Sequence, residues 1–319
     1  MDSAACIKGT VQMRIAAVDL VSNTCFPALA AHELGFFNEE GLDAHIELVS
    51  AIGSTKALRE GSADAMIAGS VFDVLTEFKD WQGAKVCVAL SQGTPWLLTV
   101  RADLDVERGD VSALKGLTFT AAEGPDLAFK QMLRSGGLDP ERDVSIIDLP
   151  GGKERNVSFG VFAAQGLKEG KIDGFWSNAM GAETAVTGGV GKIHVDVRRG
   201  DDPGEVRFAT FAGLASTDDY IAREPAAIDA AVRAIVKAQK ALREDPSLAR
   251  KVGDGMFPPE SAALITQIVE RDASFYDPVI AEEAVQCMND FARSVGQLSG
   301  PVPYEQVVAT RCCPLWTGG

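Results

Sequence analysis

The chain has 319 residues, 46% of them hydrophobic and 24% charged, and its formal net charge is −15. This length is greater than a single small hydrophobic core usually organises, so it predicts two lobes. The negative charge argues against nucleic acid and anionic membranes as partners, because both repel an acidic surface. No apolar run approaches the roughly 18 residues of a membrane-spanning helix.

The first twelve residues, MDSAACIKGTVQ, have neither a basic start nor an apolar stretch, so the sequence as written shows no secretory signal. We therefore expect a cytoplasmic protein, or a periplasmic one if a leader has been removed. The six cysteines are scattered without a CxxC motif, which favours free thiols. The three histidines show no ligand spacing, and we expect neither a metal site nor a cofactor.

Residues 13–70 alternate between strand-like and helix-like patterns. Strands separated by helices of about 10 residues predict right-handed crossovers and a parallel sheet. In chain order the pattern gives a strand at 14–20, a helix at 26–34, a strand at 45–49, a short helix opened by Gly53-Ser54-Thr55, and an apolar strand at 64–68.

The same alternation continues to residue 100 and restarts over 101–198. It predicts a helix at 71–79, strands at 85–90, 96–101, 117–121, 144–149, 172–176 and 192–197, and helices at 125–135, 157–167 and 179–186. A strand at 208–216 precedes four helical segments, at 226–243, 246–253, 259–271 and 280–294. We expect an α/β protein whose helical C-terminal region packs on lobe one. The predicted division is a flexible N-terminus at 1–12, lobe one at 13–100 plus 199–319, and lobe two at 101–198. Residues beyond 300 are expected to be loosely held.

Polar side chains follow strands of the first unit at Asn23-Thr24-Cys25, Ser54-Thr55 and Ser70. The carboxyl ends of parallel strands meet at one sheet edge, near helix N-termini that attract acceptors, so these turns predict a ligand crevice. Each residue alone could be an ordinary helix cap, and only their coincidence favours binding. Trp176 also ends a predicted strand, where it could stack on a planar ligand or belong to the core.

Cys25 precedes a predicted helix, whose unpaired N–H groups would favour a thiolate. A nucleophile also needs a base in reach, and His32 lies about 10 Å further along the same helix. The alternative for Cys25 is a small buried residue that lines a pocket. Glu123 could accept ligand N–H groups or be a solvated acid. Lys153 and Arg155 could meet a ligand carboxylate or sulfonate, or lie in a solvated loop.

Three phrases carry a resemblance: AHELGFFNEEGLD at 31–43, KALREGSADA at 56–65 and LKEGKIDG at 167–174. Their order and spacing resemble bacterial solute-binding proteins of the nitrate, sulfonate and taurine type, which include the pyrimidine-precursor (NMT1/THI5-like) group. The resemblance covers about residues 13–245. It implies a two-lobe type II periplasmic-binding-protein-like fold that clamps a small molecule in an interlobe cleft and passes it to an ABC transporter permease. By position, the family's ligand contacts fall on Asn23, Thr24, Ser54, Thr55, Ser70, Ser91, Thr94, Glu123, Trp176 and Asn178.

The same fold also hosts enzymes: a biphenyl sulfinate desulfinase, dihydroxyphthalate decarboxylase and chorismate dehydratase. The desulfinase is similar at Ser22-Asn23-Thr24-Cys25, but its catalytic His and Arg follow the second strand. Here residues 53–70 contain no His, and their only Arg is Arg59 on a helix.

Three candidate functions follow from the residues and the resemblance. We expect hinge closure over a small polar or planar molecule (a sulfonate, carboxylate or pyrimidine-like compound) that is handed to an ABC-type transporter. The alternative is a cytoplasmic desulfinase-, decarboxylase- or lyase-like enzyme using Cys25 or Glu123. A ligand sensor, whose closed form docks on another protein, is a third possibility.

Overall fold

The computed structural model describes residues 11–17, 22–49, 51–151, 158–204 and 206–317. The first of two five-stranded sheets has the strand order β2-β1-β3-β10-β4. Its strands are β1 (Val11–Ala17), β2 (Leu42–Leu48), β3 (Ala65–Ala68), β4 (Ala84–Ser91) and β10 (Ala212–Thr217). β1 pairs in parallel with β2 and β3, whereas β10 is antiparallel to β3 and β4.

The second sheet has the strand order β7-β6-β8-β5-β9. Its strands are β5 (Leu97–Arg101), β6 (Thr118–Ala121), β7 (Ser145–Ile146), β8 (Gly174–Ser177) and β9 (Gly191–Asp196). β6 is parallel to β7 and β8, and β5 is antiparallel to β8 and β9. The predicted lobe boundary at 100/101 falls inside β5, which pairs wholly within this second sheet. The domain limits themselves stay a prediction.

Two chain connections join the sheets edge to edge. β5 begins where β8 and β9 end, because Leu97 pairs with Ser177 and with Asp196. β10 begins beside the end of β4, because Ala212 pairs with Ser91. The first connection (residues 92–96) and the second connection (residues 197–211) therefore link the carboxyl edge of one sheet to that of the other. This arrangement confirms the predicted two-lobe α/β fold and brings the polar turns of both lobes together.

Helices cover both sheets, and the C-terminal ones return to the first lobe. They are α1 (Phe26–Glu33), α2 (Phe36–Glu39), α3 (Ala51–Glu60), α4 (Pro125–Ser135), α5 (Phe159–Lys168), α6 (Ala179–Thr187), α7 (Asp218–Arg223), α8 (Pro225–Glu244), α9 (Leu248–Met256), α10 (Pro259–Asp272), α11 (Glu282–Ser294) and α12 (Tyr304–Val307). The long helix α8 packs on α1, α2 and β4, which confirms that the helical region covers lobe one. None of the described helices combines the length and hydropathy needed to cross a membrane.

Two glycines allow α5 and α6 of the second lobe to pack closely near their N-termini. A Cβ on Gly181 of α6 would lie 2.5 Å from the Cα of Gly160 in α5, so only glycine permits this crossing. Asn178, just before α6, also lies against this contact, 3.2 Å from the position of a Gly160 Cβ. The close crossing brings the N-termini of both helices to the carboxyl edge of the second sheet.

The chain after residue 300 is packed, contrary to the loose tail expected from its prolines. Val308 forms a parallel bridge with Val86 of β4. The indole of Trp316 donates a hydrogen bond to the carbonyl of Cys87 (3.0 Å). β4 is an edge strand, and an edge strand has backbone groups that need partners. The tail supplies them, and no local pattern in its sequence indicates that pairing.

Smaller differences concern the helix at 71–79 and the strand at 144–149. The first is two 3₁₀ helices, Val71–Thr76 and Lys79–Trp81, separated by a break and with a positive φ of 53° at Asp80. The second is only the two-residue strand β7. Apolar spacing identifies both segments but does not fix their hydrogen-bond pattern.

Candidate ligand-binding site

The turn before α1 forms part of the first lobe's edge. Asn23, Thr24 and Cys25 are each only 1% exposed. The Asn23 amide donates to Asp272 (2.8 Å), and the Tyr276 hydroxyl donates to the carbonyl of Asn23 (2.7 Å). Side chains at and just beyond the end of α10 therefore fix a turn that lies about 250 residues earlier in the chain. The Asn23 Oδ1 atom is buried and has no hydrogen-bond partner in the described part of the chain.

The hydroxyls after the next strands are also buried, but they bond within the protein. Thr55 lies 3.2 Å from the hydroxyl of Thr76, and Ser70 lies 3.0 Å from that of Thr210. Ser54, beside Thr55 in α3, is fully buried. Since Thr210 belongs to the second connection, Ser70 fastens that connection to the end of β3.

Ser91 and Thr94 also form hydrogen bonds that hold the connections in place. The Thr94 hydroxyl donates to the carbonyl of Val206 (2.6 Å) and accepts from the backbone N–H of Thr210 (3.3 Å). The Ser91 hydroxyl accepts from the Arg198 guanidinium (2.8 Å). These contacts tie the two connections together beside the cleft.

On the second lobe, Trp176 ends β8 and is fully buried. Its ring stacks on Phe129 of α4 (centroids 5.4 Å apart) and lies 6.2 Å from Trp96. The indole Nε1 has no partner among the described residues, and the same holds for the buried hydroxyls of Thr120 and Ser158. The second lobe's edge therefore contains several polar atoms that the protein itself leaves unsatisfied.

The other two predicted residues of this lobe differ in exposure. Asn178 is half-buried, and its side chain caps α6 by accepting from the Gly181 N–H (3.2 Å). Glu123 is exposed in the turn before α4. It lines a cavity of about 280 Å³ together with Asp126 and Lys130, which pair at 2.8 Å. Lys153 and Arg155 lie outside the described residues.

Arg198 is the main site residue that the sequence analysis missed. Its side chain is 4% exposed, donates a hydrogen bond to Ser91 and lies 4.7 Å above the ring of Phe275. Its Nε atom has no hydrogen-bond partner among the described residues. Burial lowers the pKa of Arg198, and the nearby Asp272 carboxylate, at 3.9 Å, opposes that shift. An arginine stays charged at neutral pH even so. The adjacent pair Arg198-Arg199 after a predicted strand was the available sequence signal.

The cleft arginines are neutralised by carboxylates. Arg199 pairs with Asp196 (2.9 Å) and Asp272 (2.6 Å), and Arg271 pairs with Asp272 and with Glu183. Burial by itself would raise the pKa of Asp272, but its arginine partners outweigh burial and hold that pKa below its usual value. Because Glu183 lies on α6 and Arg271 on α10, this network spans both lobes.

Cys25 sits at the start of α1 without a histidine in place to act as its base. His32 is exposed near the end of α1 and pairs with Glu33, and His45 is exposed on β2. Tyr276 is one titratable neighbour of Cys25, and burial raises the pKa of its hydroxyl well above the usual value. In the described part of the chain, no three His, Cys, Asp or Glu side chains are grouped so that they could hold a metal ion.

Two α/β lobes whose polar edges share a cleft, joined by two connections, define the class of periplasmic-binding-protein-like folds. A sequence model of the NMT1-like family matches residues 81–254, more than half of the chain. The protein belongs to this family.

Three relatives place the chain among known proteins. A Bacillus subtilis (strain 168) protein named "Putative binding protein YtlA" is 27% identical over 300 residues, covering 88% of this chain and 83% of the relative. The periplasmic aliphatic sulphonate binding protein SsuA of Escherichia coli is 14% identical, with a TM-score of 0.69 over 93% of this chain and 91% of SsuA. A DszB variant in complex with biphenyl-2-sulfinic acid is 15% identical, with a TM-score of 0.67 over 96% and 98% of the two chains. At these identities, SsuA and DszB share the fold alone.

Proposed function

We propose that the protein binds a small polar or planar organic molecule in the cleft and acts as the substrate-binding component of an ABC-type importer. The observation that supports this proposal is a set of buried polar atoms that have no hydrogen-bond partner among the described residues. They lie on both lobes and on the connection between them: Asn23 Oδ1, Trp176 Nε1 and Arg198 Nε. A buried polar atom without a partner costs about 1–3 kcal/mol. A ligand that forms hydrogen bonds with these atoms removes that free-energy cost, so ligand binding stabilises the closed form of the cleft.

The atoms limit the chemistry of the ligand. Trp176 and Arg198 offer N–H donors, whereas Asn23 offers an acceptor oxygen. The aromatic cluster around Trp176 suits a planar molecule. A sulfonate, a carboxylate or a pyrimidine-like ring has acceptors for these donors, and we propose these three classes as candidates.

Transport is proposed from the relatives and from the connections. SsuA is named as a periplasmic sulphonate-binding protein, and YtlA as a binding protein. We propose that the connections at 92–96 and 197–211 act as the hinge between the lobe of the first sheet and the lobe of the second sheet. An importer component works where its ligand is taken up, so we propose a periplasmic location beside a permease.

Catalysis through Cys25 is the less favoured function, although DszB shares the fold. A cysteine nucleophile needs a base or proton donor in reach. The described surroundings of Cys25 provide the high-pKa hydroxyl of Tyr276 rather than a histidine. Glu123, the other candidate, is exposed in its turn.

A thermal-shift screen with sulfonates, carboxylates and pyrimidines tests capture, because a ligand of the folded state raises the melting temperature. Mass spectrometry then measures whether the ligand is recovered unchanged. Trp176→Phe keeps the ring and removes the unpaired Nε1, so we expect it to weaken the shift. Trp81→Phe is the matched control, because the Trp81 indole already donates to Asn289 (3.2 Å). It should lower stability and leave the ligand-induced shift intact. Consumption of the ligand, or no shift with any of the three classes, would overturn the proposal.

A further inference from the structure

Asp73 places a carboxyl group between the two lobes. It lies in the first turn of the 3₁₀ helix Val71–Thr76, which follows β3 at the first lobe's carboxyl edge. Its Oδ1 is 3.2 Å from the position that a Cβ would occupy on Gly124, in the turn before α4 of the second lobe. Gly124 comes three residues after Ala121, which pairs with Trp176. Asp73 therefore faces the same wall of the cleft as the aromatic cluster.

The Asp73 carboxyl group takes part in no hydrogen bond or ion pair within the described residues. The acid on the facing helix differs, because Asp126 accepts from the Gly124 N–H (3.0 Å) and from Lys130 (2.8 Å). Asp73 is half-buried, and the protein around it keeps water away, which raises its pKa to about 7. Among the described residues, burial is the cause of that shift.

The described arginine network of the cleft is balanced by carboxylates. Arg198, Arg199 and Arg271 share the carboxylates of Asp196, Asp272 and Glu183, so three positive groups meet three negative ones. Once ionised, Asp73 adds a negative charge that forms no ion pair within the described residues. An oxyanion bound here would be repelled by it, whereas a cation would pair with it.

We propose that Asp73 selects the ligand, so that the cleft takes a planar organic molecule with a protonated or N–H-rich nitrogen rather than an oxyanion. This inference rests on the proposed function and narrows its ligand class. Asn23 Oδ1, a buried acceptor without a partner, offers a second oxygen for a ligand N–H group. The donors of Trp176 and Arg198 then bond to acceptor atoms on the same ring.

Titration calorimetry with three planar probes tests the inference: benzamidinium, benzoate and benzenesulfonate. Benzamidinium should bind the wild-type protein more tightly than either anion. Its affinity should rise about tenfold per pH unit from pH 5 to 7, as Asp73 ionises, and level off above pH 7. If the affinity for benzamidinium instead fell as the pH rose from 5 to 7, the bound state would require the neutral carboxyl group of Asp73, and the proposal would be wrong. This pH series needs no variant, so it does not depend on how a substitution folds.

Asp73→Asn should weaken benzamidinium binding about ten- to a hundredfold and flatten its pH profile. Glu77→Gln, at the end of the same 3₁₀ helix, is the matched control and should leave both unchanged. If benzoate or benzenesulfonate binds more tightly, the assignment of Asp73 is wrong while capture in the cleft stands. If benzamidinium does not bind, or binds with a flat pH profile, the assignment is also wrong, and the separate thermal-shift screen decides the proposed function.

Discussion

The carboxyl edges of the two sheets differ in how several of their buried polar groups are paired. On the first lobe, the hydroxyls of Ser70, Ser91 and Thr94 bond to protein groups that fasten the two connections. On the second lobe, Thr120 Oγ1 and Trp176 Nε1 are buried and have no partner among the described residues. Polar residues at strand ends thus have two physical roles, which the strand pattern does not distinguish. A satisfied group stabilises the hinge, and an unsatisfied one is available to a ligand.

The largest expected effect comes from removing the second lobe's aromatic wall. Trp176→Ala deletes a fully buried ring packed on Phe129 and Trp96 and should lower the free energy of unfolding by about 3–5 kcal/mol. It should also abolish any ligand-induced shift. Urea unfolding measures the first effect and the thermal-shift assay the second. A variant that keeps its full ligand shift would mean that this wall does not bind ligand.

Arg198→Ala should have the next largest effect and lower the free energy of unfolding by about 2–3 kcal/mol. The change leaves Ser91 without its donor, but Asp272 keeps Arg199 and Arg271, so the loss stays below the usual cost of breaking a buried pair. Arg108→Ala is the control, because Arg108 is more than half exposed and pairs with Asp201 at the surface. It should change the free energy of unfolding by at most about 1 kcal/mol. Equal effects of the two variants would contradict a buried role for Arg198.

Two threonine substitutions of the same size separate the two edges directly. Thr94→Val should lower the free energy of unfolding by about 1–3 kcal/mol, because the Thr210 N–H loses its acceptor and the Val206 carbonyl keeps only the hydrogen bond from the Ala209 N–H. Thr120→Val removes a buried hydroxyl that has no partner, so stability should stay within about 0.5 kcal/mol or rise. Chemical denaturation gives both values. The comparison of the edges fails if Thr120→Val is the more destabilising change.

The smallest expected effect is the acid titration of Asp272. Its pKa in the folded protein is below the unfolded value near 3.9, so the stability it contributes is fully present above about pH 4. That stability is lost as the pH falls through the folded pKa. The difference in unfolding free energy between wild type and Asp272→Asn should therefore shrink below pH 4, by at most about 1.4 kcal/mol per pH unit. A difference that stays constant down to pH 2 would show that Asp272 is not stabilised as an anion.

Much of the fold could be predicted because its signals are local. The strand at 64–68 and the helices from 226 to 294 were expected close to where they lie, since apolar spacing and flanking Gly or Pro mark each element. The short helix α2 was missed, because four residues carry too little pattern. The prediction of a loosely held tail beyond residue 300 was wrong, because the tail is ordered by pairing with β4. That pairing joins residues more than 200 positions apart in the chain.

The candidate site also has features that local sequence signals predict and features that depend on long-range contacts. The order of residues is enough to show that polar turns follow the strands and that Trp176 ends one of them, and a parallel sheet brings these ends to one edge. Which of those groups the protein already satisfies depends on the tertiary packing. Asn23, Arg198 and Asp272 meet through the packing of the C-terminal helices, and no spacing in the chain encodes that meeting. Asp73 likewise became a candidate only when the fold set it against Gly124, because whether a carboxyl group finds a partner depends on what the opposite lobe presents.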